Sequence, residues 1–415
     1  MRHDPLHPHP RAARRSVAAF VLALAAAAVT TPWNADAANG IWRSRAELAE
    51  LPTSGAAWEQ LRSIADESLG EADIANQNSD HDTNTLAAAL VYARTGQKPY
   101  QAKARDGIAG AIGTERGGRT LALGRNLPAY IIAADLIGLR AYDPALDDRF
   151  RGWLRAVRNE PLDGRTLIET HEQRPNNWGT HAGAARIAAD AYLGDRADLE
   201  RAAQVFKGWL GDRSAYASFK FGDLSWQCEP ATPVAINPAG CTRHGVNLDG
   251  VLPDDQRRAG GFTWPPQQEN YTWGALAGAT LGAELLHRQG YDAWQWEDQA
   301  LRRAVRWLYV QNGFPATGDD TWIPWLVNHA YGTGFQTHPA KTGKNMGFTD
   351  WTHQHQGNGQ GSDEEAATDE EAATDEEATT DEEATTDEEA TTDEEATTDE
   401  EATTDEEAAT DDEAA

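Results

Sequence analysis

Cysteine is almost absent from this chain of 415 residues, which contains only Cys228 and Cys241. The two stand thirteen positions apart in one stretch that is typical of a loop. In an exported protein such a pair is expected to form a disulfide bond. That pairing disfavours a nucleophilic thiol or a cysteine-ligated metal at either position.

Long hydrophobic runs are also missing. The longest apolar stretch, residues 16–29, covers about fourteen residues, whereas a membrane-spanning helix needs about 20. Arg14 and Arg15 precede it and Ala35-Asp36-Ala37 follows it, as in a secretory signal peptide with a small-residue cleavage site. We therefore expect a signal peptide at residues 1–37, a secreted or periplasmic protein, and no integral membrane segment in the mature chain. The paired arginines leave the twin-arginine export route open.

Basic stretches suited to nucleic acid are absent, and the formal net charge is −30. Most of this charge lies in a repetitive tail, residues 362–415, with 27 acidic residues and no basic, aromatic or large aliphatic residue. Such a segment cannot bury enough apolar surface to offset the entropy lost on ordering, so we expect a disordered, solvating extension. The remaining core is only mildly acidic, and no nucleic-acid partner is expected.

Alternating patterns typical of β-strands are not evident between residues 38 and 361. The pattern there is helical and recurs as hairpins, in which a helix ends at glycine and a short turn leads to an amphipathic partner. Repeated hairpins of about fifty residues predict an all-α fold, an (α/α) toroid forming an incomplete or a closed barrel. The hairpins are expected at 86–96 with 100 onward, 129–138 with 144–157, 187–194 with 199–210, and 281–290 with 296–309.

Metal-binding motifs are equally scarce. His353 and His355 stand close together, but the sequence offers no third ligand near them and no Asp-rich calcium loop. We therefore expect neither a metal nor another cofactor.

Tryptophan, in contrast, is abundant, with 15 residues. Flat aromatic faces bind sugar rings in carbohydrate clefts, whereas tryptophans within helices are expected to pack in the core. The candidates for a cleft stand in loops or at helix starts: Trp178, Trp264, Trp273, Trp322 and Trp325.

Two motifs about ninety residues apart each stand where a helix is expected to begin. In the first, Asn176 and Asn177 can cap the helix or bind an anion, and His181 shares a helix face with Asn177. In the second, residues 269–273, Tyr271 begins a helix.

Further candidates stand outside these motifs. His244 could act as a base or could neutralise a substrate charge. Arg257 or Arg258 could bind a carboxylate through two hydrogen bonds. Lys341 and Lys344 are available to an anionic polymer from a loop expected to rim the cleft.

These groups match the requirements of β-elimination from a uronic acid in a polysaccharide. The substrate carboxylate must be neutralised by hydrogen bonds before the C5 proton can leave. A base then removes that proton, and an acid protonates the O4 leaving group. In gluco- and manno-configured uronates both lie on one face of the sugar, so a single Tyr can serve both steps. Guluronate needs a separate base such as His.

The segment Asn176-Asn177-Trp178-Gly179-Thr180-His181 resembles the Asn-Asn-His-x-x-Trp helix start of alginate lyases with an (α/α) toroid. Residues 249–258, followed by 269–271, resemble their Leu-Pro, Arg and Asn-Tyr segment. The resemblance extends over roughly residues 80–330 and implies a polysaccharide lyase acting on an anionic polysaccharide.

Carried over by position, the resemblance implies that Asn177 neutralises the carboxylate, Arg258 or Arg257 clamps it, and Tyr271 is base and acid. Trp178 occupies the place of the family's histidine, so the neutralising histidine would be His181 or His244.

The segment from Arg to Tyr is longer here, by residues 260–266. Either Arg257 or Arg258 can therefore correspond to the arginine of the family. These departures are closer to the glucuronan and alginate lyase group than to the best-known mannuronate enzymes. Glucuronan and mannuronan therefore both remain as expected substrates.

Two other functions fit the same toroid. A glycoside hydrolase needs two carboxylates flanking the scissile bond, and Glu269 with Asp249 or Asp255 are the candidates, although no paired motif contains them. A non-catalytic glycan-binding protein would keep the tryptophans and tolerate loss of Tyr271. The sequence predicts no oligomeric state.

Overall fold

The computed structural model describes residues 40–343 and 346–354. The expected signal peptide and acidic tail, with the domain boundaries at residues 37 and 362, lie outside the described residues, as does Lys344. Helices dominate the described part of the chain, and its only strands are β1 (Thr242–Arg243) and β2 (Val246–Asn247), which pair antiparallel.

The helices of the described residues, in chain order, are α1 (Arg45–Ala49), α2 (Ala56–Asp66), α3 (His81–Thr95), α4 (Lys98–Ala111), α5 (Thr120–Leu136), α6 (Leu139–Tyr142), α7 (Pro144–Val157), α8 (Leu167–Gln173), α9 (Asn177–Leu193), α10 (Arg196–Leu210), α11 (Pro253–Gln256), α12 (Asn270–Arg288), α13 (Trp296–Val310), α14 (Ile323–Tyr331) and α15 (Thr349–Thr352).

Both helices of each of the four predicted hairpins are present: α3 and α4, α5 and α7, α9 and α10, and α12 and α13. The first helix of each begins earlier than the apolar pattern indicates. In α9 the reason is that its first turns contain polar residues that are nevertheless buried, among them Asn177 and His181. Apolar periodicity therefore underestimates the length of a helix whose first turns consist of buried polar residues.

Burial distinguishes two rings of helices. Nearly every residue of α3, α5, α9 and α12 is buried, so these helices are enclosed on all sides. Their partners α4, α7, α10 and α13 each bury one face and expose the other. The first group is the inner layer and the second the outer layer, because only an inner helix has neighbours all round.

The inner helices contact one another in chain order, α3 with α5, α5 with α9, and α9 with α12. The C-terminal helices complete the ring, since α12 contacts α14, α14 contacts α15, and α15 contacts α2, which lies against α3. The indole rings of Trp351 and Trp58 lie 5.3 Å apart at this closure, and Trp351 Nε1–H donates to Pro52 O at 2.8 Å. Both the all-α class and the toroid are thus confirmed, with the ring closed.

Glycines allow the inner helices to approach closely. A Cβ atom on Gly124 of α5 would lie 2.9 Å from the backbone of His181 and Ala182 in α9. A Cβ atom on Gly278 of α12 would overlap the backbone of Thr180 and His181. Helix α9 is therefore held between α5 and α12 at backbone distance, which brings the starts of α9 and α12 together. Among the described helices, none is long and apolar enough to cross a bilayer.

Candidate active site

The start of α9 presents an amide in a buried position. Asn176 is the N-cap, as predicted, and its Oδ1 accepts the Trp178 N–H at 3.3 Å. Asn177 Oδ1 accepts the same N–H at 3.0 Å, which leaves the Asn177 Nδ2 group directed elsewhere. Among the residues that the structure describes, none accepts a hydrogen bond from this fully buried Nδ2. An unsatisfied buried donor costs about 1–3 kcal/mol, so this amide favours an incoming acceptor.

A carboxyl group from a distant segment holds the same helix start. Asp255, in α11, accepts the backbone N–H of Asn177 through Oδ1 at 3.0 Å. Its side chain is buried, and burial raises the pKa of Asp255 well above its ordinary value. The neighbouring Asp254 raises the pKa further, while the hydrogen bond from Asn177 and the charge of Arg258 oppose the rise.

The two candidate arginines have different surroundings. Arg257 donates through Nε to Asp254 Oδ1 at 3.0 Å, and its guanidinium covers Gly222, where any side chain would overlap it. Arg258 is exposed, and its guanidinium carbon lies 4.2 Å from the centroid of the Tyr271 ring. A cation over an aromatic face is an attractive arrangement, and it places Arg258 beside the expected proton-transfer residue.

Helix α12 begins beside this pair. Glu269 is its N-cap and accepts the Tyr271 N–H through Oε1 at 3.1 Å. Partial burial raises the pKa of Glu269, against the effects of that hydrogen bond and of Arg258. One turn along α12, a Cβ atom on Gly274 would lie 3.7 Å from Asn177 Cβ, so the starts of α9 and α12 are in direct contact.

The structure therefore brings Asn177, Arg258 and Tyr271 to one place, together with the carboxyl groups of Asp255 and Glu269. Hydrogen bonds and electrostatic influence connect all five. Asn177, Arg258 and Tyr271 thus contribute an amide, a guanidinium and a phenol to this part of the molecule.

His181 is in a different position. Its side chain is fully buried one turn beyond Asn177, where the backbones of α5 and α12 approach α9 most closely. His181 is thus as deeply buried as Asn177, and its expected role as the neutralising histidine stays a prediction.

His244 is exposed at the turn between β1 and β2, where its backbone adopts a φ of 54°. Its ring lies 4.9 Å from that of Phe262. A disulfide bond joins Cys228 and Cys241 immediately before β1 and closes the loop that leads to this turn. Closure of so short a loop stabilises the fold by about 3 kcal/mol at most.

The tryptophans divide into two groups. Trp264 is 40% exposed, in keeping with a role in sugar binding. Trp273 and Trp322 are 1% and 0% exposed, so their expected position in a cleft is wrong. Trp273 lies in the core, where Nε1–H donates to Phe314 O at 3.1 Å. A helix start contributes inward-facing as well as outward-facing side chains, and the sequence alone did not distinguish them.

The remaining candidate tryptophans are partly occupied by protein contacts. Trp178 is largely buried, and the guanidinium carbon of Arg174 lies 4.8 Å from its ring centroid. Trp325 is half-buried and donates through Nε1–H to His338 O at 2.7 Å. Arg174 is a cation at this site that sequence reasoning did not assign. Its place directly before the Pro-Asn-Asn segment was the signal for it.

Asp249 is the remaining carboxylate nominated for hydrolysis. Asp249 pairs with Arg303 at 2.6 Å and accepts the Gly240 N–H at 3.0 Å, so it has a structural role. Within the described residues, no group of three His, Cys, Asp or Glu side chains is arranged to hold a metal ion.

No family model and no curated protein matches this chain. Among solved structures, it is similar to alginate lyase A1-III from Sphingomonas species A1, with 13% sequence identity and a TM-score of 0.50. The match covers 76% of this chain and 95% of that chain. The described domain therefore has the (α/α) toroid fold of an alginate lyase.

Proposed function

We propose that this protein is a polysaccharide lyase that cleaves a polymer of uronic acids by β-elimination. The observation that carries the proposal is the position of Arg258, 4.2 Å from the Tyr271 ring, beside the buried Asn177 amide. The toroid fold supports it, since a lyase of this fold is known, although fold alone does not define activity.

Asn177 and Arg258 are the proposed carboxylate neutralisers. The amide supplies a donor in a buried setting, and the guanidinium supplies a charge and two parallel N–H groups. Hydrogen bonds to the carboxylate stabilise the charge that develops when C5 loses its proton. Because the Asn177 amide is fully buried and Arg258 is exposed, binding of one carboxylate by both requires a rearrangement that uncovers the amide.

Tyr271 is the proposed base and acid. Acting as a phenolate, its oxygen accepts the C5 proton, the C5 electron pair forms the C4–C5 double bond, and the C4–O4 bond breaks with its electron pair on O4. The same oxygen then returns the proton to O4 of the leaving chain. These steps need no metal or other cofactor.

The arrangement favours substrates in which the C5 proton and O4 lie on one face. Tyr271 contacts the guanidinium of Arg258, whereas His181 is buried one turn beyond Asn177 in α9 and His244 lies on the turn between β1 and β2. We therefore propose mannuronan or glucuronan rather than polyguluronate. The export expected from residues 1–37 is consistent with a polymer that is met outside the cell.

The test measures ultraviolet absorbance of unsaturated uronate when the mature protein is mixed with glucuronan, polymannuronate or polyguluronate. We expect a rise on one of the first two. Tyr271→Phe should lower the rate about 10³-fold, because the proton-transfer group is lost. The matched control is Tyr331→Phe in α14, which removes a hydroxyl that donates to Trp294 O and should leave the rate unchanged.

Three results would contradict the proposal. Full activity in Tyr271→Phe would exclude this residue as the base. New reducing ends without unsaturated product would instead indicate hydrolysis. Glu269 and Asp255, whose pKa values are both affected by the charge of Arg258, would then be the candidate carboxyl groups. Absence of both signals, with polymer still bound, would indicate a glycan-binding protein.

A further inference from the structure

We propose that Asp255 is a positioning residue that fixes the Asn177 amide relative to Arg258. It does so by tethering the first residue of α9 to the segment that continues from α11 into Arg258. This inference rests on the proposed function, in which Asn177 and Arg258 bind the same carboxylate.

The tether is additional to the ordinary cap of the helix. Asn176 already accepts an N–H in the first turn of α9, as an N-cap does. Asp255 accepts a second one, that of Asn177, from 78 positions away in the chain. Burial of the Asp255 carboxyl group, which is 1% exposed, is costly. Because the helix already has a cap, the small stability gained from a second one does not explain that burial.

The hydrogen bond between Asn177 and Asp255 sets the distance between two donors, the Asn177 side-chain amide and the Arg258 guanidinium. Asn177 has a buried Nδ2 group with no acceptor among the described residues, and Asp255 lies three residues before Arg258. Reacting groups need to be placed within fractions of an ångström, and an error of about 1 Å can lower a rate about 10²-fold. Asp255 is the direct hydrogen-bonded connection between the two segments.

The surroundings of Asp255 also suit an anionic substrate. The charged groups that face it are Asp254 beside it in α11, Arg258 just beyond, and Glu269 at the start of α12. Burial and the two acidic neighbours favour the protonated carboxyl, which adds no negative charge beside the substrate. An amide at this position would reproduce both the acceptor and the neutral charge.

The experiment compares Asp255→Ala, which removes the acceptor, with Asp255→Asn, which retains it. We expect Asp255→Ala to lower kcat about 10²-fold with KM changed less than about threefold. The variant should also speed hydrogen exchange at the backbone N–H of Asn177. Asp255→Asn should restore kcat to within about threefold and keep that amide protected. If ionisation of Asp255 lowers kcat/KM in the wild-type protein as pH rises, Asp255→Asn should not show that decrease, because asparagine does not ionise.

A matched control separates positioning from loss of a helix cap. Asp143 is the side-chain cap of the outer helix α7, where it accepts the Leu146 N–H at 3.0 Å. Asp143→Ala should therefore lower thermal stability without changing kcat. If it lowers kcat as much as Asp255→Ala does, general destabilisation explains the effect and the positioning role is overturned.

Other results decide the remaining cases. Unchanged hydrogen exchange at Asn177 in a folded Asp255→Ala protein would overturn the tether. If Asp255→Ala does not fold, Asp255→Asn decides alone, and a 10²-fold loss of kcat in it would contradict the proposal.

Failure of the proposed function is distinguished from failure of the tether. If the wild-type protein forms no unsaturated product, binding of a uronate oligosaccharide replaces kcat as the measurement. The tether then predicts about tenfold weaker binding in Asp255→Ala and less than about threefold in Asp255→Asn. Absence of binding in the wild-type protein would overturn both proposals.

Discussion

Adjacent side chains in this protein have different tasks because their neighbours differ. Arg257 is held by the Asp254 carboxylate and lies over Gly222, whereas Arg258 extends over Tyr271. Asn176 and Asn177 differ as well, since of the two only Asn177 has a fully buried Nδ2 group with no acceptor among the described residues. Residue type therefore defines what chemistry is available, and the contacts distinguish between two adjacent residues of the same type.

The two arginines can be separated by mutation. We expect Arg258→Ala to lower kcat/KM by about 10–100-fold, the worth of charge-assisted hydrogen bonds to a carboxylate. Arg258→Lys should recover only part of this, because an ammonium lacks the two parallel donors. Arg257→Ala should mainly lower the melting temperature, since it loses the contact with Asp254. Steady-state kinetics together with thermal unfolding checks this, and a larger kinetic loss in Arg257→Ala would reverse the assignment.

The packing of α9 against α12 positions the site at the level of elements. Asn177 begins one helix and Tyr271 lies in the first turn of the other, so their separation depends on how closely the helices pack. Gly278 permits that distance because the backbone of α9 occupies the space of a side chain. Further along α12, the Cβ of a substituted Gly282 would meet Ile187 and Phe206 at ordinary distances of 3.6 and 3.7 Å.

Alanine at these two glycines should have opposite effects. We expect Gly278→Ala to destabilise the fold by about 3 kcal/mol, because backbone cannot move aside easily, and to lower activity by separating Asn177 from Tyr271. Gly282→Ala is the matched control and should be neutral or stabilise by up to about 1 kcal/mol, since alanine is the better helix former. Denaturant unfolding with a parallel activity assay measures both, and equal stability of the two variants would contradict the close approach.

The ring of the whole described domain buries histidines as well as apolar side chains. Burial lowers the pKa of His171 and of His353 well below the ordinary value of 6.5, and nearby arginines add to the effect. His171 lies beside Arg186 of α9, and His353 packs edge-to-face with Trp42 at the closure of the ring. Both rings are therefore neutral in the folded protein, although the unfolded chain binds protons below about pH 6.5.

This difference predicts the pH dependence of stability. Since the unfolded chain binds more protons below about pH 6.5, the free energy of unfolding should fall as pH decreases through that value. Each buried histidine contributes up to about 1.4 kcal/mol per pH unit. His353→Gln should reduce the slope by up to one proton, as measured by denaturant unfolding between about pH 5 and pH 8. An unchanged slope in this variant would show that His353 is protonated in the folded state.

Much of the architecture was determined by the sequence itself. Apolar periodicity and the glycines at helix ends predicted the four hairpins, and the Asn176-Asn177 and Glu269-Asn270-Tyr271 segments predicted the two helix starts. These features follow from local physics, because caps and helical periodicity involve residues within a few positions of one another. The residue types needed for carboxylate binding and proton transfer were visible for the same reason.

The tertiary structure decided which of those residues meet. The hydrogen bond from Asn177 to Asp255 and the burial of His181, Trp273 and Trp322 all depend on contacts between distant segments. A helix start determines a side chain's position along the chain but not which neighbouring helix lies over it. Only the closed ring of packed helices determines that, because burial and hydrogen-bond partners come from elements far away in the sequence.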